Sequence, residues 1–422
     1  MRIVDEGALG SRLRSPEGAN PRVVAPGNFG TPWELLSLVD RELGSYRLLA
    51  LNSQEGWPSH EGLINETPFV GPGVRHDVGL DYLPMRLSLV PRLFESLRPP
   101  DIVLLHTSSP RQGKVSMGIE VNILPAAVEA VRRRRGLVIA QINPQMPYTK
   151  GDGELDADDI DLGFEVDAAL PSHRLRPADD TAELIGHRVA EFAVDGGTIQ
   201  LGIGELPDAA ARALRNVRGL GVWSEMVSDG IADLDRVGAL DPARPIHASF
   251  LFGTPELYQW VAESQRLVMR RTEVINDPSR VAAQPAMLSV NTALEVDLFA
   301  QANACSIGGH VYSGFGGQPD FVVGALHSRG GHAVIALRAW HDRTDHSTVV
   351  PLVQTPVSSF QHSVVVTEIG KAEIFGRSQR GQARVLIEEA ADPRARPSLW
   401  EAASRLGLAP TRLSAEAEVP NS

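Results

Sequence analysis

Apolar residues in this chain fall in short unbroken runs. Ile102-Val103-Leu104-Leu105, Leu137-Val138-Ile139-Ala140, Ala333-Val334-Ile335-Ala336-Leu337 and Val364-Val365-Val366 are too short for helices and apolar on both faces. Between them lie stretches with apolar residues at helical spacing. This alternation predicts buried, mostly parallel strands joined by crossover helices, an α/β fold.

One junction combines several signals. Thr198 to Leu201 predicts a strand, Gly202-Ile203-Gly204 a turn, and Pro207 the first helical residue, where a missing N–H is harmless. Glycines let backbone N–H groups approach a ligand, and a helix N-terminus adds partial positive charge, so the loop suits a phosphate or an oxyanion. Ordinary strand-to-helix structure explains such a loop equally well, because the spacing matches neither a dinucleotide fingerprint nor a P-loop. A carboxylate, Glu225, follows shortly downstream in Ser224-Glu225-Met226-Val227-Ser228-Asp229-Gly230.

The same unit occurs earlier. Val23-Val24 leads into Gly27-Asn28-Phe29-Gly30-Thr31-Pro32 and then Trp33-Glu34-Leu35-Leu36, with the glycine-to-proline spacing of Gly202 to Pro207. The repeat predicts two similar open α/β domains, each opening with a strand–Gly loop–helix unit, over residues 1–180 and 181–422. A length of 422 residues suits two domains at about 150 residues or more each.

Composition narrows the function. A net charge of −12 argues against non-specific nucleic-acid binding, and Arg132-Arg133-Arg134-Arg135 reads as the cationic end of a helix from Pro125 to Arg134. Met1 to Asn20 lacks an apolar core of signal-peptide length, and no apolar run approaches the ~18–20 residues of a membrane span, which predicts a cytoplasmic protein. The single cysteine, Cys305, excludes an internal disulfide and reads as a buried inert thiol. No histidine pair has zincin spacing, and the group His341, Asp342, Asp345 and His346 reads as a solvated loop, so no metal is expected. No G-x-S-x-G elbow is present.

The motifs together resemble the acetyl-CoA hydrolase/transferase family, coenzyme A transferases that include 4-hydroxybutyrate and succinate:acetate CoA-transferases. The resemblance is carried by Gly202-Ile203-Gly204-Glu205-Leu206-Pro207 with Ser224-Glu225-Met226, and by Ser289 to Leu298, Tyr312-Ser313-Gly314-Phe315-Gly316-Gly317-Gln318-Pro319-Asp320 and Val365-Val366-Thr367-Glu368. Gly73-Val74-Arg75 with Tyr82-Leu83-Pro84, Val115-Ser116-Met117-Gly118 and Ile142 to Asp152 carry it in the first half. It spans about residues 20 to 410 in collinear order.

The resemblance implies that CoA and acyl-CoA are substrates with a small carboxylate as partner, that no cofactor is permanently bound, and that the protein is a homodimer. It implies Glu225 as the nucleophile, forming first an acyl anhydride and then a glutamyl-CoA thioester. Gly202, Ile203, Gly204, Glu205 and Leu206 would contact CoA, with the Ile203 amide at the oxyanion. Leu294 and Ser313 would line the CoA site, Gly314 and Gly316 would shape it, and Gly317 would offer a second amide at the reacting carbonyl. Glu368 matches a glutamate near the family's active site. Glu295, within an apolar alternating run, reads as a structural strand residue.

The chain also departs from the family pattern. Aligned from Pro351, Asp342 stands where a CoA-loop lysine is usual, with Arg343 next to it. Ala300-Gln301 replaces Gly-Gln, and Ala391-Asp392-Pro393 replaces His-Pro. Three readings stay open: a CoA-transferase between an acyl-CoA and a carboxylic acid, an acyl-CoA hydrolase on the same scaffold, and a catalytically weak acyl-CoA-binding protein.

Overall fold

The structure, a computed structural model, describes residues 1–13, 20–173, 178–355, 357 and 361–409. Two sheets organise it. The first has eight strands, all parallel, in the order Arg2–Ile3, Leu162–Glu165, Leu137–Ile142, Ile102–Thr107, Arg22–Val24, Tyr46–Leu49, Leu63–Thr67, Asp81–Tyr82. The second has nine, in the order Lys371–Glu373, Val364–Val366, His332–Ala336, Met287–Thr292, Thr198–Leu201, Gly221–Trp223, Ile246–Ala248, Leu267–Met269, Lys150–Gly151. Only the Lys371–Glu373 edge runs antiparallel in that sheet. Its opposite edge, Lys150–Gly151, comes from the first half of the chain and pairs with Leu267–Met269.

The apolar runs are the central strands. All six residues of Ile102–Thr107 are buried, as expected where helices cover both faces of a parallel sheet. Each sheet reverses its winding at the strand before a glycine loop. From Arg22–Val24 the chain steps outward through Tyr46–Leu49 and Leu63–Thr67, then returns to the other side at Ile102–Thr107. From Thr198–Leu201 it steps through Gly221–Trp223 and Ile246–Ala248, then returns at Met287–Thr292. The crevice at such a reversal, beyond the carboxyl ends of the strands, is where open α/β sheets bind ligands. The sequence repeat therefore marks two equivalent crevices.

A helix follows each loop, Trp33–Leu43 in the first half and Glu205–Ala213 in the second. The second starts at Glu205, so Pro207 is its third residue rather than its first. Pro207 is tolerated there because the first four helical N–H groups have no intrahelical acceptor. Gly204 makes the turn with φ of +112°, a conformation costly for other residues. Helix Asp180–Ala190, capped by Asp179 accepting from the Ala182 amide at 2.9 Å, packs closely on this helix. A Cβ on Gly186 would lie 2.6 Å from the Ala209 backbone. The arginine run ends helix Leu124–Arg133. Among the described residues no helix is long and apolar enough to cross a membrane.

The first crevice is filled from within. Glu120, 2% exposed, accepts from the backbone amides of Gly27 (3.2 Å), Asn28 (3.1 Å) and Gly30 (3.2 Å), and from the side-chain amides of Asn28 (2.9 Å) and Asn122 (2.8 Å). The glycines are required because a Cβ on Gly30 would lie 2.7 Å from that of Glu120. Burial pushes the Glu120 carboxyl above its usual range, and these donors oppose the shift. Replacing Glu120 with alanine leaves three buried amides without an acceptor. The Glu120→Ala protein is expected to lose about 3 kcal/mol or more in denaturant unfolding; a loss under about 1 kcal/mol would show that the loop holds itself.

Candidate active site

The second crevice is open. A cavity of about 450 Å³ lies between the halves, lined by Gly202, Ile203, Glu225, Asn291 to Leu294 and Ser313 to Gln318 from the second half, and by Asn28, Asn52, Phe69 and Arg75 from the first. Parallel strands gather these groups. Gly202 follows Thr198–Leu201, Glu225 follows Gly221–Trp223, and Ala293-Leu294 follow Met287–Thr292.

Glu225 is fixed through its backbone. Its carbonyl accepts from the Ser249 amide at 2.8 Å and the Phe250 amide at 3.1 Å, and the adjoining Met226–Val227 pairs with Phe250–Leu251. Ser224 is buried, with its hydroxyl on the Leu201 carbonyl at 3.2 Å. The Asn276 side-chain amide donates to Glu225 Oε2 at 2.6 Å.

Gly317 closes the other side. A Cβ there would stand 1.7 Å from Glu225 Oε2 and 2.3 Å from Asn276 Nδ2, so only glycine fits. Helix Gln318–His327 starts at this point, directing its positive end toward the carboxylate. The approach loop is docked on the first half: the Val70 amide donates to the Ser313 carbonyl at 2.6 Å, and Gly314 (φ +142°) lies against Pro68 and Phe69. Asp320 on the same helix is held by the Ser88 hydroxyl at 2.9 Å.

Burial raises the Glu225 carboxyl to about 7; the Asn276 donor opposes this, and the charge of Asp320 adds to it. Burial likewise raises Asp320 to about 6. No described cation is hydrogen-bonded to Glu225. A carboxylate so poorly stabilised, facing a cavity, has the character of a nucleophile or an acid–base group.

Of the residues singled out from the sequence, Gly202, Ile203, Glu225, Leu294, Ser313, Gly314, Gly316 and Gly317 all line this cavity. Gly204, Glu205 and Leu206 lie outside its lining. Glu205 pairs with Arg338 at 2.9 Å and accepts from the Asp179 amide at 3.3 Å, which ties the loop to neighbouring structure. Glu368 takes the Ala339 amide on both oxygens, at 2.9 and 3.1 Å, a bond that shapes a turn. Glu295 begins a strand and accepts from Asn303 at 3.0 Å. Cys305 is buried. Asp342 and Arg343 are exposed in the turn between Trp340–His341 and His346–Ser347 and are not among the residues lining the cavity. Asn276 escaped sequence reasoning, since an isolated asparagine 51 residues from Glu225 has no local signal.

The fit around Gly317 has a direct consequence. Gly317→Ala must displace Glu225 or the helix start, and is expected to cut turnover at least about a hundredfold while the fold survives. Circular dichroism alongside rate measurement checks this, and near-normal turnover would show that the loop relaxes freely.

The family profile of the acetyl-CoA hydrolase/transferase C-terminal domain matches residues 253–403. The 4-hydroxybutyrate coenzyme A transferase of Clostridium kluyveri is 34% identical over 405 residues, covering 90% of this chain and 92% of that protein. Among solved structures, RipA from Yersinia pestis superposes with a TM-score of 0.86 at 24% identity, over 96% of this chain and 100% of that one. A 4-hydroxybutyrate CoA-transferase from Porphyromonas gingivalis reaches a TM-score of 0.79 at 26% identity, over 96% and 98%. With a relative of this identity along nearly its whole length and a fold to match, the chain belongs to the acetyl-CoA hydrolase/transferase family.

Proposed function

We propose that the protein is a CoA-transferase, moving CoA between an acyl-CoA and a small carboxylic acid, with Glu225 as the covalent nucleophile. The observation that carries this reading is the Glu225 carboxylate itself, raised to about 7, facing a cavity lined by two glycine loops. A Glu225 oxygen attacks the thioester carbonyl, the C–S bond breaks, and the CoA thiolate leaves an acyl-glutamyl anhydride. The thiolate then attacks the glutamyl carbonyl, releasing the first acid and forming glutamyl-CoA. The acceptor carboxylate displaces the thiolate from that thioester, giving a second anhydride. The thiolate finally attacks the acceptor's acyl carbon and frees Glu225. Anhydride and thioester are comparably reactive, so the exchange divides into accessible steps.

Each addition places negative charge on a carbonyl oxygen. The amides of Ile203 and Gly317 are the proposed donors, and one such donor is worth on the order of 3 kcal/mol of barrier. Asn276 holds the carboxylate in its attacking orientation. The two α/β units on which this rests are residues 1–180 and 181–422, joined by the Lys150–Gly151 strand.

Trapping tests the covalent step. After incubation with acyl-CoA and borohydride, the reduced residue is expected at Glu225 by peptide mass, and Glu225→Ala is expected to lose on the order of a thousandfold or more in exchange. Full turnover in that variant would sink the assignment. Release of CoA thiol without any added acid would instead assign a hydrolase.

The raised carboxyl also fixes a pH dependence. Attack needs the ionised form, so kcat/KM is expected to rise with pH and level off above about 7. Stability runs the opposite way. A carboxyl raised in the folded state contributes stability that is complete below its unfolded value, near ~4.3, and is lost as pH rises through about 7. Glu225→Gln is therefore expected to be more stable than the parent above pH 7, by on the order of 2 kcal/mol, and indistinguishable from it near pH 4. Thermal melts at both pH values decide the point.

A further inference from the structure

The cavity's lining holds two charged side chains among the described residues, Glu225 and Arg75. Arg75 lies between strands Leu63–Thr67 and Asp81–Tyr82 of the first half, across the domain junction from the Gly202 loop. Its Nε donates to the Tyr312 carbonyl at 2.9 Å, and its guanidinium carbon sits 3.9 Å from the centroid of the Tyr312 ring. These contacts fix the plane of the guanidinium and cover one face. Neither Nη group has a hydrogen-bond or ion-pair partner among the described residues.

Other arginines contrast with it. Arg338 is taken by Asp179 and Glu205, Arg98 by Glu66 and Asp81, and Arg86 lies 3.9 Å from Asp320. The acids around Arg75 are also engaged, Asp77 by Asn65 and Asp81 by Arg98. Arg75 is not hydrogen-bonded to Glu225 either, and the charge acting on Glu225 is that of Asp320. An oriented guanidinium with its paired N–H edge free, on a cavity wall that includes Phe69, Leu87 and Phe315, is built for a planar anion.

We infer that Arg75 sets substrate specificity by binding the distal carboxylate of a short dicarboxylic acid, or of its mono-thioester, whose other carboxyl reacts at Glu225. This rests on the CoA-transferase reading. The phosphates of CoA are the competing anions. The two are told apart by which KM depends on Arg75, that for the acid or that for acetyl-CoA. Phe69, Leu87 and Phe315 give the same cavity the apolar surface that suits the methylene spacer of such an acid.

The test pairs succinate with butyrate, acids of equal carbon number, as acceptors from acetyl-CoA. The parent enzyme is expected to favour succinate in kcat/KM, and Arg75→Gln to lower that preference at least about tenfold, through KM for succinate more than through kcat. Arg75→Lys, which keeps the charge but loses the fork, is expected to fall between. An unchanged preference in Arg75→Gln, or a parent that favours butyrate, overturns the assignment. A rise in KM for acetyl-CoA equal to that for succinate also overturns it, because the anion would then be a CoA phosphate.

Calorimetry keeps the inference separable from the transferase reading. Succinate is expected to bind the CoA-loaded parent more tightly than butyrate does, and Arg75→Gln to abolish the difference. If no acid accepts CoA but this binding difference appears, the transferase reading fails while Arg75 stands as a dicarboxylate site. If exchange proceeds but neither assay responds to Arg75, the reverse holds.

Discussion

Three consecutive residues, Ser249 to Leu251, connect the two crevices. On one side the Ser249 and Phe250 amides hold the Glu225 carbonyl. On the other, the Leu251 amide donates to Ile119, and the Ser249 carbonyl accepts from Val121 and Asn122. Between Ile119 and Val121 stands Glu120, whose carboxylate holds the Gly27–Gly30 loop. The nucleophile candidate of one half and the loop of the other are thus positioned by a single backbone ladder. Stacking of Phe29 on Phe252, with centroids 4.0 Å apart, reinforces the same junction. Buried backbone groups must be paired, so neither half can shift here without breaking several hydrogen bonds together.

The two halves share a winding order but use it differently. In the first, an internal carboxylate occupies the glycine loop, and the crevice is structural. In the second, the loop faces a cavity, and the carboxylate in that cavity's lining, Glu225, follows a neighbouring strand. The first half still contributes to the site, through Asn28, Asn52, Phe69 and Arg75 on the opposite wall. Asn28 donates to Glu120 and accepts from Asn52 at 2.7 Å, so the filled loop supports a polar surface of the cavity.

Electrostatics divide the site in a similar way. Glu225 is desolvated by burial and left with one strong donor, Asn276, and an acidic neighbour, which keeps its ionised form weakly stabilised. Glu205, one residue beyond the glycine turn, is neutralised by Arg338, so its charge does not oppose an anion at that helix start. Asp342, whose position in the sequence set it against a CoA-binding lysine, is exposed outside the cavity lining. The substitution therefore places no anion against Glu225.

Much of the fold was legible because its signals are local. Apolar runs name the central strands, and the matched glycine loops mark the two winding reversals, since a tight turn after a buried strand restricts residue choice wherever it occurs. Pro207 misled by two positions because a proline fits any of the first helical residues. Cavity-lining residues within motifs, such as Glu225 and Gly317, were legible by family resemblance. Their relation to one another was not: 92 residues separate them, and no local pattern encodes a missing Cβ against a carboxylate.

The sequence by itself determined the fold class, the duplicated unit and the family, because each depends on periodicity or contiguous motifs. Only the tertiary structure decided that Glu120 fills the first crevice, that Asn276 orients Glu225, that a strand from the first half extends the second sheet, and that Arg75 faces the cavity without an acid partner. Those outcomes depend on distance and desolvation between residues far apart in the chain, and both are properties of packing.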